Sequence, residues 1–90
     1  MEYGRWRTTG RTDPLSPREQ EATLLAANDL SVKQIARTMR IQPSAAQSRL
    51  DSARHKLKQR TLRGLVVEAL RLGVIEPAVN VGRPAKEQAC

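Results

Sequence analysis

Ser44, Gln47, Ser48 and Asp51 follow one another at intervals of three, one and three residues, which lines them up on one side of a helix. They carry two hydroxyls, a carboxamide and a carboxylate, and Arg54, His55 and Lys58 continue the same side with basic groups. This set suits directional hydrogen bonding rather than bond breaking. Glutamine pairs bidentately with adenine, aspartate accepts from the cytosine amino group, and serine serves either role. The other side of the same helix is apolar, with Ala46, Leu50, Ala53 and Leu57 at spacings of four, three and four.

Catalytic readings find little to stand on. His55 is the single histidine and sits between Arg54 and Lys56; Cys90 is the single cysteine. Glu19 and Glu21 read as a capping residue and its neighbour, not as an acid/base pair. There is no phosphate-cradling glycine loop and no Cys/His spacing for zinc. The expectation is therefore no enzyme, no catalytic residue, no metal and no cofactor.

Three capped helices position the polar face. Ser16-Pro17-Arg18-Glu19 has the form of a capping box with proline at the first helical position. Leu15 can act as its hydrophobic staple, and Ala22, Leu25 and Ala26 form its inward stripe. Asn28-Asp29 closes this first helix. Ser31-Val32-Lys33-Gln34 caps a second helix, in which Ile35, Ala36 and Met39 face inward. Arg40-Ile41-Gln42 makes the turn, with Ile41 expected as a buried plug. The third helix opens at Pro43. A fourth, capped by Thr61, is expected over about Leu62 to Leu72, and it is apolar on more than one face. The surplus face implies a partner helix.

The ends of the chain read differently. Residues 1–13 show neither a helical nor a strand period and are expected to be a flexible basic arm. Tyr3 and Trp6, the two aromatic residues, either dock on the helical core or lie exposed for a partner; docking is the commoner fate of a lone tryptophan. Residues 76–90, with Pro77, Gly82 and Pro84, are expected to be an irregular tail, and the reactivity of Cys90 is left open. The folded part is placed at residues 14–75.

Ninety residues make one small domain. The formal charge is +7, from 16 Lys and Arg against 9 Asp and Glu. Residues 15–75 hold 11 of these cations and 5 of these anions, a net of +6, so the charge belongs to the helical part. A basic folded domain points to a polyanion, most often nucleic acid. No apolar run reaches membrane-spanning length and no secretory signal pattern is visible, so a soluble cytoplasmic protein without a membrane partner is expected.

The ordered set Leu15-Ser16-Pro17-Arg18-Glu19-x-Glu21, Leu30-Ser31-x-Lys33-x-Ile35-Ala36-Arg37, Ile41-x-Pro43-Ser44, Lys56-Leu57 and Ala69-Leu70-Arg71-Leu72-Gly73-Val74-Ile75 resembles the DNA-binding domain of the LuxR/GerE family of bacterial transcription regulators. It spans about Pro14 to Ile75. The resemblance implies an all-α, four-helix, helix-turn-helix fold that regulates transcription in the cytoplasm at the nucleoid. It implies a homodimer on an inverted repeat of double-stranded DNA, with the third helix in the major groove. Gln47, Ser48 and Asp51 match family positions that touch bases, and Ser44 shares their face. Lys33, Arg37, Gln42, Arg49, Arg54, Lys58 and Arg60 are the candidates for phosphate contact, with Lys56 equally a solvated cation. Leu65, Val66, Ala69 and Leu72 are expected at the dimer interface. The family's usual N-terminal receiver or ligand domain has no room here, so control is expected through abundance or a partner.

Four departures from the family pattern stand out. Relatives have glycine where this chain has Asp29 and often where it has Arg40, so both helix ends should be strained. Relatives favour Thr-Val-Lys where this chain has Ala45-Ala46-Gln47, and often His at Arg49. Specificity should differ accordingly, and Ala22, Thr23 and Ala46 thin the core, a gap that Trp6 or Tyr3 would fill.

Two other readings remain. The first and third helices are also similar to region 4 of extracytoplasmic sigma factors, which would make RNA polymerase the partner. A protein-interaction module that pairs with another regulator and silences it is the third.

Overall fold

The computed structural model describes residues 1–10 and 14–78. Along the chain lie β1 (Glu2–Tyr3), β2 (Trp6–Thr8), α1 (Pro17–Ala27), α2 (Val32–Met39), α3 (Pro43–Lys56), α4 (Leu62–Leu72) and β3 (Ile75–Pro77). The four helices fall where the caps and apolar periods put them. Ser16 Oγ accepts from the Glu19 N–H while Glu19 accepts from the Ser16 N–H, and Ser31 and Gln34 repeat the same exchange at α2. Thr61 Oγ1 accepts from the Gly64 N–H at the start of α4. Each box satisfies two backbone donors that the first helical turn leaves without partners.

The helix ends carry strain. Asp29, Arg40 and Lys58 sit at φ of 62°, 61° and 58°, the left-handed region that costs a side-chain-bearing residue about 1–2 kcal/mol. The strain at Asp29 and Arg40 matches the expectation; Lys58 adds a third such end, just past α3. Gly73 closes α4 in the same conformation at no such cost.

The core lies where α1, α2, α3 and α4 meet. Leu15, Leu24, Leu25, Ile35, Leu50, Leu65, Val74 and Ile75 are buried at its centre. The expected inward residues Ala22, Leu25, Ala26, Ile35, Ala36, Met39, Ala46, Leu50, Ala53 and Leu57 are all buried. Ile41 is not the buried plug expected of it; it is half-buried against the edge of the core.

The fold is not all-α. β1, β2 and β3 form a three-stranded antiparallel sheet in the order β1-β2-β3. Tyr3 pairs with Trp6 and Glu2 with Arg7 across the two-residue turn Gly4-Arg5; Arg7 pairs with Glu76, and Thr8 with Ile75. The expectation of an aperiodic flexible arm is corrected here, and so is that of an irregular tail from residue 76. Arg7 Nε donates to Glu76 at 2.6 Å, and Thr9 Oγ1 donates to the Gly73 carbonyl at 2.7 Å. These partners lie more than sixty residues apart in sequence, so no local period could announce them. Residues 11–13 of the expected arm, and the expected tail from residue 79 to Cys90, lie outside the described residues.

The hairpin also docks on α1. Asn28 Nδ2 donates to the Tyr3 carbonyl and to the Leu24 carbonyl, both at 3.0 Å. Gly4 makes this approach possible: a Cβ there would stand 2.2 Å from Asn28 Oδ1. Trp6 packs half-buried against the core, while Tyr3 is exposed.

Candidate nucleic-acid interface

α2, the Arg40 turn and α3 form the unit that presents the polar face. Arg40 closes α2 in the left-handed region, its N–H and that of Ile41 satisfying the carbonyls of Arg37 and Ala36. This sharp reversal lets α3 start at Pro43 three residues later. α3 then buries Ala46, Leu50, Ala53 and Leu57 and exposes Ser44, Gln47, Ser48 and Asp51 on the opposite side. α3 alone among the four described helices lacks a side-chain cap at its start: Gln42 makes no capping hydrogen bond.

The exposed side chains are not independent. Gln47 Nε2 donates to Asp51 Oδ1 at 2.9 Å, and Arg54 Nη2 donates to the same oxygen. Arg54 Nη1 donates to the Arg60 carbonyl at 2.6 Å. Hydrogen bonds from Arg54, and then from Gln47, hold the Asp51 carboxyl below its ordinary pKa. Arg54 is therefore committed to Asp51 and to the loop after α3. Lys33, Arg37, Arg49, Lys58 and Arg60 are exposed and have no ion-pair partner among the described residues. Arg49 lies on the flank of α3 shared with Ser52 and Lys56. Arg40 joins these cations: exposed and likewise without an ion pair among the described residues, it stands at the turn itself. Sequence reasoning took Arg40 only as a strained turn, although its charge next to Gln42 was in view.

Lys56 does other work. Its Nζ donates to Glu19 Oε1 at 2.8 Å, and Ser52 Oγ donates to Glu19 Oε2 at 2.6 Å. Glu19 is buried, its side chain 7% exposed, and its other duty is the cap on Ser16. Burial pushes its pKa up, but the hydrogen bonds from Lys56, Ser52 and the Ser16 N–H outweigh that and hold it down at about 2. One carboxylate thus ties the start of α1 to the end of α3. The Glu-to-Ser cap was legible; the second attachment was not, because it joins residues 37 apart.

The expected dimer contacts separate into two groups. Leu65 and Ala69 are fully buried in the core of the protomer, so they cannot meet a partner; the face of α4 they occupy packs on α1 and α3. Val66 and Leu72 are half-buried. The outward apolar residues are Leu62 and Val67, the latter 56% exposed. With Val66, Ala27 and Leu30 they line a groove of about 400 Å³ between α1 and α4, flanked by Asp29 and Arg63.

His55 is exposed, and Glu21 pairs with Arg18. Among the described residues no group of three or more His, Cys, Asp or Glu side chains could hold a metal, and no helix is long and apolar enough to cross a membrane. Comparison with known proteins finds no family model, no curated protein and no solved structure that matches this chain.

Proposed function

We propose that this chain is a sequence-specific transcriptional regulator that binds double-stranded DNA through a LuxR-type helix-turn-helix, with α3 in the major groove. The observation that carries this reading is the pair of opposed faces on α3. One is fully packed, the other is a stripe of hydrogen-bonding side chains, and cations with no ion pair among the described residues surround it on α2, the turn and the loop after α3. Base edges are read from such a stripe. Phosphates are held by such cations, which position the protein without carrying sequence information. The uncapped start of α3 adds backbone N–H groups that favour an anion.

On this reading Ser44, Gln47, Ser48 and Asp51 face the bases. Lys33, Arg37, Arg40, Gln42, Arg49, Lys58 and Arg60 face the backbone. Six cations on phosphate would make binding fall about a thousandfold between 50 and 200 mM salt. A homodimer on an inverted repeat, with half-sites about one helical turn apart, follows if two copies meet through Leu62, Val66 and Val67 on the outward side of α4. Transcription control then takes place in the cytoplasm, at the nucleoid.

The same apolar groove between α1 and α4 favours a second reading, in which the chain pairs with another regulator and silences it. Selection of bound duplexes from a random pool, followed by affinity against salt, separates the two. An enriched inverted repeat is the expected outcome. No retained duplex at low salt would overturn the DNA reading and favour the second.

A further inference from the structure

If α3 enters the major groove, its exposed face presents an unusual centre, and we propose that Asp51 determines specificity there by selecting a base that offers an exocyclic amino group, cytosine above all. The inference rests on the DNA-binding reading and deepens it.

The hydrogen-bond network around Asp51 carries the argument. Gln47 and Arg54 both donate to Oδ1, and Oδ2 accepts no hydrogen bond among the described residues. Arg54 is anchored a second time, on the Arg60 carbonyl at 2.6 Å. The carboxylate is thus braced from one turn below and one turn above, half exposed at 49%, and held with its second oxygen free. The same contacts consume donors. Gln47 gives one of its two amide N–H groups to Asp51 and keeps the other beside its carbonyl oxygen, while Asp51 Oδ2 remains a pure acceptor at the middle of the stripe. Arg54 is not available to read guanine, the usual target of an arginine in the groove.

A carboxylate oxygen discriminates sharply. Guanine shows N7 and O6 in the major groove and thymine shows O4, all acceptors. A carboxylate pressed against them loses its water and gains no donor. Adenine offers its amino group but sets N7 beside it. Cytosine offers its amino group with only a C–H alongside. Asp51 also repels phosphates on every sequence, so it weakens non-specific binding while rewarding one base. Both effects raise the ratio that matters in a genome.

The test runs the random-pool selection in parallel on the wild type, Asp51→Ala and Asp51→Asn, with far-ultraviolet circular dichroism to verify the fold of each. The wild type should enrich one cytosine column in each half-site. In Asp51→Ala that column should flatten by about tenfold while the others hold, and affinity for random duplex should rise. Asp51→Asn, nearly isosteric and the safer variant for folding, should move the column toward adenine. Unchanged columns in both variants would overturn the inference and leave Asp51 as an anchor for Arg54, with the DNA reading intact. A wild type that retains no duplex, or enriches none, would overturn the inference together with the reading beneath it.

Discussion

Glu19→Gln tests what fixes α3 against α1. The carboxylate is buried, and Lys56, Ser52 and the Ser16 N–H all donate to it within 2.9 Å. Its pKa of about 2 in the folded protein compares with an ordinary 4.5. At about 1.4 kcal/mol per unit, the whole shift would be roughly 3 kcal/mol. Lys56 is 42% exposed, so solvent screens part of the interaction, and about 2 kcal/mol is the working figure. A domain of this size loses about 4–8 °C of melting temperature per kcal/mol. Glu19→Gln should therefore melt roughly 8–16 °C below the wild type at neutral pH.

The pH dependence gives the second arm. A depressed carboxylate pKa contributes stability that is complete above the unfolded value, near 4.5, and lost as pH falls through it toward 2. The wild type should lose its advantage across that window, and the two melting curves should converge near its lower end. Thermal unfolding followed by far-ultraviolet circular dichroism at several pH values measures both arms. A neutral-pH difference under roughly 3 °C, or one that does not shrink as pH falls from 5 to 2, would refute the reasoning. Lys56→Met should reproduce much of the loss, and the double variant should fall short of the sum, since both changes remove one contact.

Three further outcomes follow. Trp6→Ala should cost about 2 kcal/mol, less than a fully buried tryptophan would, because Trp6 packs half-buried on the core and pairs with both β1 and β3; unchanged urea unfolding would contradict the docked hairpin. Arg40→Gly should gain about 0.5 kcal/mol from relief of the left-handed backbone yet lower the salt slope of DNA binding by about one; titration at several salt concentrations and a melting curve give both. Val67→Asp should leave stability unchanged, since the side chain is 56% exposed, and should abolish dimers in sedimentation, whereas Leu65→Asp should unfold the protomer; a Val67→Asp dimer would remove α4 as the contact.

The four helices were legible because their signals are local. Ser16 and Glu19, Ser31 and Gln34, and Thr61 announce caps within one turn, and the apolar spacings announce the packed faces. The sheet was not legible, since each strand has two or three residues, too few to show a period, and β2 finds its second partner, β3, more than sixty residues further along the chain. The α4 contacts misled for a related reason. Leu65 and Ala69 are apolar whether they meet the protomer's own core or a partner, and periodicity does not tell those apart. At the candidate interface the stripe Ser44, Gln47, Ser48 and Asp51 was visible from spacing, while its internal hydrogen bonds and the diversion of Arg54 depend on side-chain geometry.

Backbone strain at the two ends of the turn-and-helix unit bears on the proposed function. Arg40 before α3 and Lys58 after it both hold left-handed conformations that glycine would adopt more cheaply. Stability alone favours glycine at such helix ends, as Gly73 illustrates at the end of α4. Strain kept where a cheaper residue would fit calls for a compensating role of the side chain. Both side chains here are exposed cations that bracket the α3 stripe. On the DNA-binding reading they sit where phosphates would flank a helix in the groove, and the same reasoning makes Lys58→Gly stabilise the fold while weakening binding to every sequence alike. A Lys58→Gly protein that gained stability and bound DNA undiminished would leave the strain without that explanation.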